Sequence, residues 1–364
     1  MSKLINAVSG CRPAEEIFSK LGENNFSGCV SIANQLRSHN RPIDAIIFYR
    51  KALELGPNSK HVALAILETE LQSDIAASAD VKEILETLDT DFVNYFETIK
   101  LAKYSNDPTR IIESMGNSFE AFDSGAEPDW LYMRAAKKIV APRILEKTEI
   151  SQKSNLFFYW DKSNPPSEVA ENIRYHAKSK LFNISLFSRE SAHRFIKDYY
   201  GLDAANLFSS LRHPSEESDF VRFHAVHAFG GYYLDVDEQI ISDEAFQEHI
   251  GPLDRDTYIL AGSGPVQSAF FGAKKGSPII AEALRILIHN CYVQPNLSMW
   301  LKTGPGPITR AICRKYFLHL NKREAIPDFI LHSEEVFAST FRSVDVSYRN
   351  DSRDWRVYEA NRSI

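Results

Sequence analysis

The chain has 364 residues, about twice the usual length of one domain, which favours two domains that each bury a core. With 44% hydrophobic, 25% charged and 12% aromatic residues, it is not a disordered tail, a collagen-like repeat or a disulfide-stapled miniprotein. Lys+Arg 42 against Asp+Glu 48 leaves a net charge of -6. No basic stretch offers a surface to neutralise a phosphate backbone, so nucleic acid is not an expected partner.

The N-terminal stretch MSKLINAVSGCRPAEE lacks the basic-then-apolar pattern of a secretory signal, and nowhere do about 18 apolar residues run together without charges. A cytoplasmic protein with no transmembrane segment is therefore expected, with peripheral membrane attachment through partners left open. The four cysteines, Cys11, Cys29, Cys291 and Cys313, lie far apart, with no Cys-x-x-Cys pair and no His at zinc spacing. They read as reduced, buried thiols.

From residue 14 to about 145 the apolar positions recur at threes and fours, broken by turn signals at Asn24-Asn25, Gly56-Pro57 and Asn106-Asp107-Pro108. This predicts an all-α segment. Within it, Cys29, Ile32, Ala33 and Leu36, followed one helix later by Ala45, Tyr49, Ala52 and Pro57, resemble one tetratricopeptide repeat spanning roughly Phe26 to Ser59. Small Ala45 and Ala52 let two antiparallel helices approach, Tyr49 fills the groove, and Pro57 stops the second helix. The next 34 residues keep Ala79 but place Glu83, Glu86 and Asp91 where an aromatic residue, an alanine and a proline belong.

After Lys147 the pattern changes. The aromatic run NLFFYW reads as a strand, and Asp161-Lys162-Ser163-Asn164-Pro165-Pro166 as a turn. The domain boundary is placed near residue 150, giving an α-helical domain over 1–150 and an α/β domain over 151–364. Strands are predicted at Leu156–Trp160, Asn183–Phe187 and Tyr232–Asp235. Helices are predicted over Ser167–Lys178 and Glu190–Tyr200, with another ending at Phe229. The alternation implies a mainly parallel sheet, whose ligand sites lie at the carboxyl ends of its strands.

The stretch SEESDFVRFHAVHAFGGYYLDVDEQII places chemistry at such an end. Asp219 and Arg222, three apart on a helix, share a face. Gly230-Gly231 ends that helix and lets the backbone pass close to its neighbours. If the chain stays extended through Val236, Asp235 and Asp237 point the same way. Two converging carboxylates need a positive partner, and a divalent cation carrying a diphosphate is an effective one. Mg²⁺ or Mn²⁺ suits such oxygen ligands.

This arrangement, Ser-Asp-x-x-Arg followed by Gly-Gly-x-Tyr-x-Asp-x-Asp, resembles the sugar-binding region of the DXD-motif glycosyltransferases of the family 32 type. That group includes yeast-type mannosyltransferases and the large glucosylating toxins. The resemblance is specific over about twenty residues, extends more weakly from residue 155 to the end, and does not touch residues 1–150. It implies a GT-A-type nucleotide-sugar-binding domain and, position by position, a site. Asp237 would ligate the metal, Asp235 would bind the ribose or metal-bound water, and Asp219 and Arg222 would hold hydroxyls of the transferred sugar. Trp160 would stack on the base, Gly231 and Tyr233 would lie against the donor, and Gln267 would reach the sugar, where relatives usually carry Asn. In SYRNDSRDWR, Asn350 or Asp351 would add a metal ligand, and Ser352 and Trp355 would touch the diphosphate, at a spacing that departs from the family's adjacent Ser-Trp pair.

The function so implied is metal-dependent, retaining transfer of a hexose from a nucleoside diphosphate sugar, a UDP- or GDP-sugar, to a hydroxyl of a glycan or protein. Polysaccharide biosynthesis and protein modification both fit, with the acceptor or a partner docked by the N-terminal helices. Two other readings stand beside it. One is a helical-repeat interaction protein whose α/β domain binds nucleotide sugar without turnover. The other is a phosphotransferase with Asp235 of Asp-x-Asp as nucleophile. His224 and His227 lack a third ligand nearby and read as structural. Lys274-Lys275 read as exposed turn residues, and the Thr303-Gly304-Pro305 turn as the opening of a helix.

Overall fold

The computed structural model describes residues 3–39, 41–57, 59–73, 78–88, 107–115, 127–140, 150, 152–262, 264–350 and 354–362. The chain divides into one unit of Met1–Asn106 with Glu113–Ala121 and a second of Asp107–Ile112 with Phe122–Ile364.

The first unit contains helices α1 (Lys3–Val8), α2 (Arg12–Leu21), α3 (Phe26–Ser38), α4 (Pro42–Leu55), α5 (Lys60–Gln72) and α6 (Ala79–Leu88). Asn25 starts α3 by accepting the Gly28 N–H at 2.7 Å, and Pro42 opens α4, where its missing N–H costs nothing. Every residue of the repeat pattern on these two helices is buried, from Cys29, Ile32, Ala33 and Leu36 to Ala45, Tyr49 and Ala52. The Tyr49 hydroxyl donates to Asn34 Oδ1 at 2.5 Å, so the groove-filling ring also satisfies its polar end. In α6 the pattern fails: Glu83 and Glu86 are exposed, while Val81 and Leu85 take the core positions. Asp91 lies outside the described residues.

The second unit is built on a six-stranded sheet. Its strands are β1 (Ser154–Tyr159), β2 (Phe182–Phe187), β3 (Gly231–Leu234), β5 (Asp256–Leu260), β6 (Val266–Ala273) and β7 (Phe329–His332), in the order β2-β1-β3-β6-β5-β7. Strands β4 (Glu238–Ile240) and β8 (Phe341–Ser343) form a separate pair. The β1/β2, β1/β3 and β5/β7 pairs are parallel, and β6 runs antiparallel between β3 and β5. The sheet is thus mixed but mostly parallel. Side chains alternate across it. Leu156, Phe158, Tyr232, Leu234 and Phe270 enter one core with Phe246 and Phe341. Phe157, Tyr159, Tyr233 and Phe271 belong to the opposite face, where Phe223 of the helix Pro214–Phe229 stacks on Phe271 at 5.3 Å. Among the described residues no helix is long and apolar enough to cross a membrane.

The helix Glu127–Ile139 lies before position 150 in sequence but packs within the second unit, against the helix Pro305–Leu320. Buried Asp129 pairs with buried Arg310 at 2.5 Å, the Cys313 thiol donates to the Asp129 carbonyl at 2.9 Å, and Tyr132 meets Phe317 edge-on at 6.1 Å. Removing one partner of a buried ion pair costs about 3–5 kcal/mol. A protein beginning at Phe122 should therefore unfold cooperatively, whereas one beginning at Gln152 should lose at least that much stability or fail to stay soluble. Equal denaturant midpoints for the two truncations would refute this account of the helix.

Candidate active site

The helix Pro214–Phe229 begins where His213 accepts the Ser215 N–H at 3.1 Å and Pro214 takes the first helical position. Acidic Glu216 and Glu217 in its first turn suit the positive end of the helix dipole. Asp219 and Arg222 share a face as expected and pair at 3.2 Å. The Arg222 guanidinium reaches further. It donates to Asp235 Oδ1 at 2.9 Å, to Ser218 Oγ at 3.1 Å and to the Ser268 carbonyl, and it lies 4.4 Å from the centre of the Tyr233 ring. Tyr233 in turn donates to Asp235 Oδ1 at 3.1 Å and shares a 2.6 Å hydrogen bond with Ser218.

A second clamp holds this helix from the far side. Thr303 Oγ1 donates to Asp219 Oδ2 at 2.8 Å, and Lys302 forms a buried ion pair with Glu216. The turn at Thr303-Gly304-Pro305 thus opens the helix Pro305–Leu320, as its proline and glycine suggest, and also fixes Asp219 in place.

Beside these groups lies a cavity of about 400 Å³ at the carboxyl ends of parallel β1 and β3. Its lining includes Tyr159, Trp160, Asp219, Arg222, Asp235, Asp237, Gln267 and Trp300. The chain does not stay extended through Val236. The Glu238 N–H donates to the Asp235 carbonyl at 3.0 Å, closing a tight turn, because β3 ends at Leu234 and the chain must swing into β4. The two carboxylates line one cavity through this turn and not through strand alternation.

The expected residues fall into groups. Asp219, Arg222, Asp235, Asp237, Trp160, Tyr233, Gln267 and Trp355 all line the cavity. Gly231 does not. At φ +130 it lies where a Cβ would sit 2.6 Å from the Asn155 carbonyl oxygen, so its role is the close approach of β3 to β1. Asp351 and Ser352 lie outside the described residues, as does the side chain of Asn350. His224 is buried against Phe220 and Tyr200, with Nδ1 2.7 Å from the Phe220 carbonyl, and His227 Nδ1 is 2.9 Å from the Tyr200 hydroxyl. Lys274 and Lys275 are exposed.

Several groups escaped the sequence reading. Tyr348 packs on Trp160 at 5.3 Å between ring centres, and Arg349 pairs with Asp237 Oδ2 at 3.1 Å. Both sit in the quoted C-terminal stretch. Arg356, paired with Asp354 at 2.5 Å, also lines the cavity. Glu217, on the same helix as Asp219, is buried, accepts from the Tyr159 hydroxyl and pairs with Arg189 at 3.1 Å, bracing the cavity wall behind Trp160.

Burial pushes the Asp235 carboxyl up to about 7, opposed by Arg222 and reinforced by Asp237. Burial likewise raises Asp219 to about 6, against the pull of Arg222 and Thr303. For Arg222, burial works against the charge, but Asp235, Tyr233 and Asp219 outweigh it and hold the guanidinium above its ordinary value. Burial is thus the first cause of both upward carboxyl shifts, and Arg222 opposes it at each.

Among the described residues no group of three or more His, Cys, Asp or Glu is placed to hold a metal ion. Asp235 and Asp237 are a pair. Mg²⁺ commonly takes only one or two carboxylates and completes its shell with water and substrate phosphate. The described hydrogen bonds to the Asp235 carboxylate all go to Oδ1, and that to the Asp237 carboxylate goes to Oδ2. Hard oxygen donors of this kind fit such an ion.

No family model matches the chain and no curated protein matches it. A solved structure, the PaToxG glycosyltransferase, is distantly similar: the match covers 70% of this chain and 97% of that one, at 12% identity and a TM-score of 0.33.

Because the folded carboxyl of Asp219 sits near 6 against an ordinary 3.8, the folded protein keeps a proton the unfolded chain has already released between those values. This group therefore makes stability fall as pH rises through that window, by at most about 1.4 kcal/mol per pH unit. Urea titrations of wild type and Asp219→Asn between pH 4 and 7 should show a shallower decline in the variant. Parallel profiles would contradict the assignment.

Proposed function

We propose that the second unit is a metal-dependent, retaining hexosyltransferase. It would move a sugar from a nucleoside diphosphate sugar, with UDP or GDP as carrier, to a hydroxyl of a glycan or protein. The observation that supports this best is the Asp219–Arg222–Asp235 chain, built on a buried arginine, on the wall of a cavity that Asp237 and Trp160 also line. Asp219 and Arg222 would orient hydroxyls of the donor sugar, held rigid by Thr303 on one side and the Ser268 carbonyl on the other. Trp160 would present its ring to the base, backed by Tyr348. Asp237 and Asp235 would hold Mn²⁺ or Mg²⁺, joined by Asn350 or Asp351, with Ser352 and Trp355 against the diphosphate. The ion, when bound, supplies positive charge to the departing diphosphate. Gln267 reaches the same cavity from β6 and would contact the sugar. Retention of configuration is carried by the resemblance of the motif alone. The helical unit would dock the acceptor or a partner.

Incubation with a panel of UDP- and GDP-hexoses and Mn²⁺ or Mg²⁺, without acceptor, tests the reading by slow hydrolysis. One donor should be consumed in a metal-dependent manner, and Asp235→Asn with Asp237→Asn should lower the rate by at least about a hundredfold, with cooperative unfolding preserved. Binding without turnover would point to the interaction-protein reading, and inertness to every donor would end the proposal.

A further inference from the structure

A second cavity, of about 330 Å³, lies beside the first in the same unit, lined by Trp130, Arg134, Lys137, Gly264, Glu334 and Glu335 among others. The two cavities share a wall. Trp300 of the first meets Trp130 of the second edge-on, 5.6 Å between ring centres. Ala261 and Pro265 face the first cavity, and Gly262 and Gly264 the second. Gly264 donates its N–H to the Ala261 carbonyl at 3.0 Å, and Ala261 donates to the Pro265 carbonyl at 2.8 Å. A Cβ on Gly262 would lie 3.4 Å from a Glu334 carboxylate oxygen and one on Gly264 3.6 Å from the Trp130 ring. Both are ordinary contact distances, and only Gly262, at φ +55, has a backbone that favours glycine.

The rims of that cavity differ in chemistry. Arg134 and Lys137, three apart on the helix Glu127–Ile139, present only donors. Glu334 and Glu335, at the start of the helix Glu334–Thr340, present only acceptors. All four are exposed, and among the described residues no ion pair joins one rim to the other. A polyanion would meet the glutamates and a polycation the basic pair. A neutral polyhydroxyl chain meets neither obstacle, because each hydroxyl both donates and accepts and so can satisfy either rim, while an indole offers an apolar face to a sugar ring.

We propose that this second cavity is the acceptor subsite and that it takes a neutral oligosaccharide, laid across the edge-on Trp130–Trp300 pair so that its terminal hydroxyl reaches the first cavity. As an acceptor site this rests on the glycosyltransferase reading; as a saccharide site it does not. In the transfer, the acceptor oxygen forms its bond to the anomeric carbon as that carbon's bond to the diphosphate oxygen breaks. The hydroxyl proton leaves with the nucleoside diphosphate.

The test uses the full chain and four neutral tetrasaccharides, built from β-linked glucose, α-linked glucose, N-acetylglucosamine and galactose. Binding is followed by saturation-transfer NMR with no donor present, so it is independent of turnover. At least one should bind, and Arg134→Glu combined with Lys137→Glu should weaken it by roughly tenfold or more, as loss of two charge-assisted hydrogen bonds implies. Arg134→Lys alone should retain most of the binding, which separates rim chemistry from misfolding. With the hydrolysed donor added, the ratio of transfer to hydrolysis should fall in the double variant. Absence of binding by all four saccharides, equal binding by the double variant, or transfer only to a mixed-charge peptide would overturn the proposal. Saccharide binding by a protein that hydrolyses no nucleotide sugar would overturn the function above while leaving this site standing.

Discussion

The site depends on one buried guanidinium. Arg222 has a side chain only 5% exposed, and a charge so placed is tolerable only where opposite charge and hydrogen-bond acceptors surround it. Its partners come from three different elements: Asp219 on its own helix, Asp235 beyond the end of β3, and the Ser268 carbonyl on β6. One side chain therefore fixes the position of the helix relative to the adjoining strand ends. Moving any of the three would leave either the cation or a carboxylate uncompensated. Tyr233 reinforces the arrangement by offering its ring face to the guanidinium and its hydroxyl to Asp235.

What the sequence made legible is what local rules govern. The i, i+3 spacing of Asp219 and Arg222, the glycine pair ending the helix, and the aromatic run of β1 all follow from periodicity and turn chemistry, and each lies close to its expected place. The buried faces of α3 and α4 were equally readable, since a repeat hairpin packs mainly against its neighbours in sequence. The turn at Asp235–Glu238 was not. An Asp-x-Asp segment is compatible with continued strand, and only the need to pass from β3 into β4, whose partner β8 lies a hundred residues later, decides for a turn. The helix Glu127–Ile139 shows the same limit. Its own pattern says helix, but its membership of the second unit is set by Arg310 and Phe317, far away in sequence.

Gly231 illustrates how one residue supports two readings. Its position beside the motif invites a role in close approach to a ligand, and the close approach is real, but the neighbour is the Asn155 backbone. Sequence can show that a glycine is needed without showing what lies opposite. The same holds for Trp160. Strand-end placement was readable, whereas its packing against Tyr348 depends on how the C-terminal stretch returns across the cavity.

The two carboxylates of the motif are held in unequal ways, and this distinguishes their chemistry. Asp235 is tied to Arg222 and Tyr233, groups anchored on a helix and a strand, so freeing it would take one of two carboxylate partners from a buried cation. Asp237 is as exposed as Asp235, at 27% against 28%, but its partner Arg349 keeps 33% side-chain exposure where Arg222 keeps 5%, so the cation that Asp237 would release can turn to water. Asp237 can therefore exchange its partner at little cost, while Asp235 cannot leave its own. In the proposed transferase, the carboxylate that exchanges readily is the one suited to take up and release an ion during turnover. The locked one is suited to shape the cavity around whatever that ion carries.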